Sequence, residues 1–167
     1  PLPLFHKGRW QGGETLPDDR LGWVSWGAEG GHPGAKGQPA VVRYRVPTDG
    51  VLHLGGVIKS PHEMGDGVVV SVQVNGKAAK TFEVPPKGEV AIELSDVEVR
   101  AGDRIDWVVA CGADSGYDSV HFVPEIRTAS GTGETVLLSD VYGGPMIPPL
   151  ARLAQIFLCS NEFLFVD

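Results

Sequence analysis

The sequence predicts an all-β protein: an antiparallel, jelly-roll-like β-sandwich carrying one C-terminal helix. Residues 41–126 hold a succession of short segments rich in Val, Ile and Leu that alternate with polar residues, the period of strands with one buried face. Turn formers separate the segments, and the 23 Gly and 13 Pro exceed ordinary usage without a collagen period, as a loop-rich β protein requires. Asn75-Gly76 stands between two segments and supplies the positive-φ pair that a tight hairpin prefers.

Residues 1–37 show little periodicity, so they read as a long irregular lead-in with one short strand over 21–26. In 41–46, Val42, Tyr44 and Val46 share one parity while Arg43 and Arg45 take the other, which fits a half-buried strand. Residues 51–58 put Leu52, Leu54 and Ile58 inward and His53 outward, and a loop over 60–67 follows. The cleanest alternation is Val68, Val70, Val72 and Val74 against Ser71 and Gln73; its return strand over 77–84 carries Lys80 on the apolar parity. Val90, Ile92 and Leu94 form the next set, Val97 and Val99 lead to a turn over 100–103, and Ile105, Trp107, Val109 and Cys111 face inward after it. The loop 112–119 precedes a last strand with Val120, Phe122 and Ile126 on one parity. Roughly eight evenly spaced strands are the pattern of a sandwich or jelly roll.

Beyond Arg127 the character changes. A polar linker leads to one more candidate strand over 135–141, and Leu150, Leu153, Ala154, Phe157 and Leu158 then recur at helical spacing behind Pro149, which a first helical turn accepts. The expected organisation is a sandwich over 1–127, a linker over 128–149 and a helical tail over 150–167.

At 167 residues, 42% apolar and 21% charged, the chain is long enough to bury one core. Its net charge of −7 argues against nucleic acid, whose binding rests on Lys and Arg neutralising phosphates. No apolar run approaches the roughly 20 residues a bilayer demands, so no membrane insertion is expected. The start at Pro1 reads as that of a processed or excised piece. Cys111 and Cys159 are the only cysteines, open to one bridge or to two buried thiols. Neither a P-loop, a G-x-S-x-G elbow nor a C-x-x-C-H haem motif occurs, so nucleotide and haem are not expected.

Four constellations could carry chemistry. The acidic loop Asp114-Ser115-Gly116-Tyr117-Asp118-Ser119 has the oxygen-rich composition calcium takes, with Asp114 and Asp118 as ligands; the same residues are also what ordinary turns use. Trp10, Trp23, Trp26 and Tyr117 could present ring faces for sugars to stack on, or pack in the core as indoles usually do. His32, among glycines, and His62 could serve as metal ligands or bases, though no zinc spacing is present. Glu63, Asp66, Asp114 and Asp118 could supply the carboxylate pair of a glycoside hydrolase.

Two stretches resemble one family. Gly22-Trp23-Val24, Gly30-Gly31-His32-Pro33-Gly34, Val42-Arg43-Tyr44, Asp49-Gly50, Gly65-Asp66-Gly67-Val68, Ala101-Gly102-Asp103-Arg104-Ile105-Asp106, and Asp118-Ser119 with Pro124-Glu125-Ile126 are similar to a sandwich module near the C-terminus of large planctomycete secreted proteins. Those proteins often carry cytochrome-c-like domains as well. The tail from Leu153-Ala154-Gln155-Ile156 to Phe163-Leu164-Phe165-Val166-Asp167 resembles their final residues.

Because such modules are similar to jelly-roll carbohydrate-binding modules, the resemblance implies glycan binding in an extracellular or periplasmic protein. The expected function is therefore non-catalytic polysaccharide binding. Trp23, Trp26 or Tyr117 would stack on the sugar, His32, Glu29 and Asp118 would bond its hydroxyls, and a structural calcium would accompany them. The alternatives are a structural module that packs on a partner domain or a second copy through its C-terminal tail, and a small metal-dependent polysaccharide-active enzyme.

Overall fold

The computed structural model describes residues 2–128 and 135–137, and these form two antiparallel sheets without an α-helix. Among the described residues no helix is long and apolar enough to cross a membrane. The strands are β1 (Leu4–His6), β2 (Arg9–Gln11), β3 (Ser25–Gly27), β4 (Gly30–His32), β5 (Ala40–Arg45), β6 (Gly50–Lys59), β7 (Val68–Val74), β8 (Lys77–Val84), β9 (Glu89–Val99), β10 (Arg104–Cys111), β11 (Val120–Phe122), β12 (Glu125–Thr128) and β13 (Thr135–Leu137).

The smaller sheet has the order β5-β10-β7-β8. Its inward set is the one the alternation predicts: Val42, Val70, Val72, Ile105, Trp107 and Val109 are all buried. Each fully buried Val or Ile contributes roughly 1.5–3 kcal/mol relative to exposure. Asn75 and Gly76 adopt φ of 53° and 83°, the primed turn that matches strand twist, and β8 returns over the expected residues. Lys80 keeps the apolar parity yet stays exposed, its Nζ 4.9 Å from the centre of the Phe82 ring. A bulge between Val72 and Gln73 in the pairing adjusts the register beside it.

The larger sheet runs β1-β2-β3-β4-β11-β6-β12-β13, with β9 also paired to β6. Because β9 lines β6 from Gly50 to Lys59, β11 and β12 share the opposite edge, β11 at Ile58 and Lys59 and β12 from Leu52 to Gly55. The crossing between them passes over Gly56 (φ 129°), where a Cβ would lie 2.8 Å from the Val123 carbonyl oxygen. Only glycine fits that approach. Leu52, Leu54, Ile58, Ile92, Phe122 and Ile126 bring this sheet's face into the shared core.

Three expectations are corrected. The lead-in is not irregular: it folds into β1 to β4, and the strand expected over 21–26 is β3, shifted to Ser25–Gly27. The segment with Val97 and Val99 is not separate, because β9 continues through a register shift opposite Leu52 and Leu54, with Asp96 at φ 56°. Residues 135–137, within the strand expected over 135–141, pair with β12, whereas the expected linker leaves this segment outside the sheet. The helix expected over 150–159, the rest of the tail and Cys159 lie outside the described residues. Cys111 is buried and free.

Candidate ligand groove

The candidate surface is built where β2, β3 and β4 approach the loops 60–67 and 112–119. Trp23 owes its exposure to the loop before β3. Asp18 pairs with Gly22 in both backbone directions, and its Oδ1 accepts the Arg20 and Leu21 amides. This tight turn sends Val24 and Trp26 into the core, both 6% exposed, and leaves Trp23 outward at 45%. The Trp23 ring centre lies 6.1 Å from that of His32.

His32 is half-buried on β4, directly across from Ser25 on β3. Its Nδ1 hydrogen-bonds the Pro33 carbonyl. A carbonyl only accepts, so Nδ1 carries the proton and Nε2 is left as an acceptor. Burial, chiefly, holds the imidazole below its ordinary pKa; Arg9 and His62 act the same way, and the Pro33 bond opposes them. His32 is thus a neutral hydrogen-bonding group near physiological pH. Tyr117 stands 52% exposed with a left-handed φ of 64°, its ring edge-on to His62 at 5.9 Å.

Together these residues line a cleft of about 350 Å³ with Trp23, His32, His62 and Tyr117 around it, and Arg9 and Ser25 among its polar groups. A second depression of about 440 Å³ contains Glu29 and shares Arg9, Ser25, His32 and Ser119 with the first. The two therefore form one continuous groove. Of the residues expected to bind ligand, Trp23, His32 and Tyr117 meet in the cleft and Glu29 lies in its extension. Trp26 does not take part: the β3 alternation that exposes Trp23's neighbourhood buries the Trp26 ring against the core. Trp10 is half-buried, packed on Phe5 at 5.2 Å.

Sequence reasoning missed Arg9 and Ser25. Arg9 belongs to a three-residue strand with no readable period, and only its pairing with Gly27 on β3 brings it to the groove. His62 carried a weak signal, an imidazole in a Gly-flanked loop, but nothing tied it to Tyr117. His53 and His121 do not meet, since His121 pairs with Lys59 at the far end of β6.

The acidic residues gather beside the cleft. Asp66 Oδ2 accepts the Ala113 and Asp114 amides at 2.5 and 3.3 Å, and Asp114 Oδ1 accepts the Gly116 amide at 2.6 Å. Asp118 is fully buried, and neither carboxylate oxygen has a hydrogen-bond partner. Burial first, then the like charges of Asp66 and Asp114, push its pKa up to about 6. The Gly112 amide opposes this weakly, outside normal hydrogen-bond geometry. Among the described residues no three His, Cys, Asp or Glu side chains converge to hold a metal by themselves.

No protein-family model matches the chain, and neither does any curated protein. Among solved structures, the chain is similar to a family two carbohydrate esterase from Clostridium thermocellum in complex with cellohexaose. That likeness has 14% identity and a TM-score of 0.41, and it covers 65% of this chain. The chain spans only 29% of the esterase's length. It is also similar to a family 35 carbohydrate binding module from an environmental isolate, with 12% identity and a TM-score of 0.42, covering 73% of this chain and 86% of that one.

Proposed function

We propose that this chain is a non-catalytic carbohydrate-binding module of a larger extracellular or periplasmic protein, and that it binds polysaccharide along the groove. The observation that carries the reading is the pairing of two exposed rings, Trp23 and Tyr117, across one cleft with neutral His32 and cationic Arg9 between them. Exposed aromatic surface of this kind is amphipathic and rigid, so it gains contact area at low entropic cost. Sugar C–H faces stack on the rings. Hydroxyls donate to His32 Nε2 and accept from the Arg9 guanidinium, and Glu29 extends the polar lining along the groove.

Two features favour binding over catalysis at this place. Among the described residues the cleft is lined by no carboxylate and its extension by Glu29 alone, one short of the pair a glycosidase uses. His32 commits its Nδ1 to a main-chain carbonyl and not to an orienting carboxylate. Trp23 would also be costly to expose in a module that served only for packing. The resemblance of residues 153–167 to the end of larger proteins supports a tail that docks on a partner domain or a second copy. The direct test is affinity gel electrophoresis against soluble plant and algal polysaccharides. Retardation of the wild-type chain, lost in Trp23→Ala and in Tyr117→Ala, is expected; no retardation by any polysaccharide would overturn the reading.

A further inference from the structure

Where loops 60–67 and 112–119 meet, the fold buries a carboxylate that no cationic side chain among the described residues neutralises. Asp118 is 0% exposed, and among the described residues neither Oδ1 nor Oδ2 has a partner within normal hydrogen-bond geometry, the Gly112 amide acting on the carboxylate only weakly. The charged side chains that act on it, Asp66 and Asp114, share its sign. A buried charge is retained when it is paired or coordinates a metal, and among the described residues Asp118 has no pairing side chain.

Two main-chain carbonyl oxygens and the carboxylate are grouped around Gly65. The position a Cβ at residue 65 would occupy lies 3.1 Å from Asp118 Oδ1, 3.1 Å from the Gly116 carbonyl oxygen and 3.2 Å from the Tyr117 carbonyl oxygen. These three groups only accept, so they cannot satisfy one another, and together they call for a cation. Gly65 is not in the left-handed region; a methyl there would press on all three oxygens, which would have to give by a few tenths of an ångström. Donors that are all oxygen, with main-chain carbonyls among them, suit a hard cation with flexible coordination and not a nitrogen- or sulfur-seeking metal.

We propose that Asp118 Oδ1 and the Gly116 and Tyr117 carbonyls hold a calcium ion beside Gly65, tying the loop that carries Tyr117 to the loop that carries His62. Asp66 and Asp114 add negative field, and water completes the coordination. This narrows the acidic-loop expectation: Asp118 is the direct ligand, whereas Asp114 spends Oδ1 on the Gly116 amide. The inference rests on oxygen geometry alone and is independent of what the groove binds.

The test is thermal melting of the whole chain in chelator and in about 5 mM calcium chloride, a concentration suited to extracellular sites, with calorimetric titration of the same samples. Binding to the folded state alone raises the melting temperature, here by about 4 °C or more, with a single calcium per chain. Asp118→Asn removes the response and melts in chelator no lower than wild type, because it removes an unpaired charge. Should that variant fold poorly, Gly65→Ala decides: it keeps the carboxylate, places a methyl at the convergence point and loses the response. No calcium-dependent rise in the wild-type chain, or an undiminished rise in Gly65→Ala, overturns the proposal; an equal response to magnesium overturns the assignment to calcium. Polysaccharide retardation is read separately, so a calcium response without retardation sinks only the sugar reading.

Discussion

The sheet β5-β10-β7-β8 and the strip β1 to β4 show two ways of using strands. In the first, strands of six to eight residues, alternating most clearly in β5 and β7, put Val42, Val70, Val72, Ile105, Trp107 and Val109 into the core. In the second, strands of three residues, rich in Gly, bury Gln11, Ser25 and Trp26 deeply, and together with the loop before β3 they turn Trp23, His32 and Arg9 toward the groove. Length and alternation maximise buried apolar area, and they leave few side chains for a ligand. Short strands contribute little to the core, but their turns set functional groups at close spacing. The difference teaches that this fold separates the region that stabilises it from the region proposed to bind.

Substitutions can break or sharpen that division. Trp107→Ala, in the first region, removes the largest fully buried side chain and is expected to cost about 3–5 kcal/mol. Urea denaturation would read it, and a cost below about 1 kcal/mol would show that the core does not depend on this sheet. Gly31→Ala probes the second region's own packing, since a Cβ there meets the Ser25 carbonyl oxygen at 2.1 Å and the Trp26 ring at 2.6 Å. Forcing β3 from β4 should lower stability by about 1–3 kcal/mol and remove polysaccharide retardation at once. Intact binding in this variant would mean that the strip's register does not matter to the groove.

Trp23→Ala should do the opposite of Trp107→Ala. Its stability should stay within about 0.5 kcal/mol of wild type, while sugar affinity falls roughly tenfold or more, about 1.4 kcal/mol. A large loss of stability instead would place Trp23 functionally with the core.

The smallest effect is on pH dependence. Asp118 binds its proton with a pKa of about 6 in the folded chain, against about 3.9 unfolded. Between those values the folded state holds more protons, so stability falls as pH rises from about 4 to 6. Melting curves in chelator should show this decline, and Asp118→Asn should flatten it. Asp103 acts outside that window, because hydrogen bonds to the Arg100 amide and Asn75 lower its pKa. Its contribution is lost only as pH falls below the ordinary carboxylate range.

Much of the sandwich was legible because its physics is local. Val68 to Val74 and Lys77 to Val84 follow from alternation and the Asn75-Gly76 turn, and the inward set Ile105, Trp107, Val109 from parity alone. Lys80 shows the limit of parity: it takes an apolar position yet stays exposed, with its Nζ over the Phe82 ring and donating to the Glu93 carbonyl. The strip β1 to β4 was illegible because three residues cannot display a period, and because its first turn uses Lys7-Gly8, at φ 47° and 82°, without the Asn or Asp that marks such turns. The groove was half legible: Trp23, His32, Glu29 and Tyr117 stood out by residue type, but type alone could not separate exposed Trp23 from buried Trp26.

By itself the sequence determined the all-β class, most strands of the core and which residue types could meet a sugar or a cation, because these depend on period and composition. Tertiary structure alone decided that Arg9, His32 and Tyr117 share one cleft, that Trp26 is core, and that Asp118 is sealed without a partner. Those outcomes depend on which distant strands pair and in what register, and pairing between segments far apart in the chain leaves no trace in the local pattern of either one.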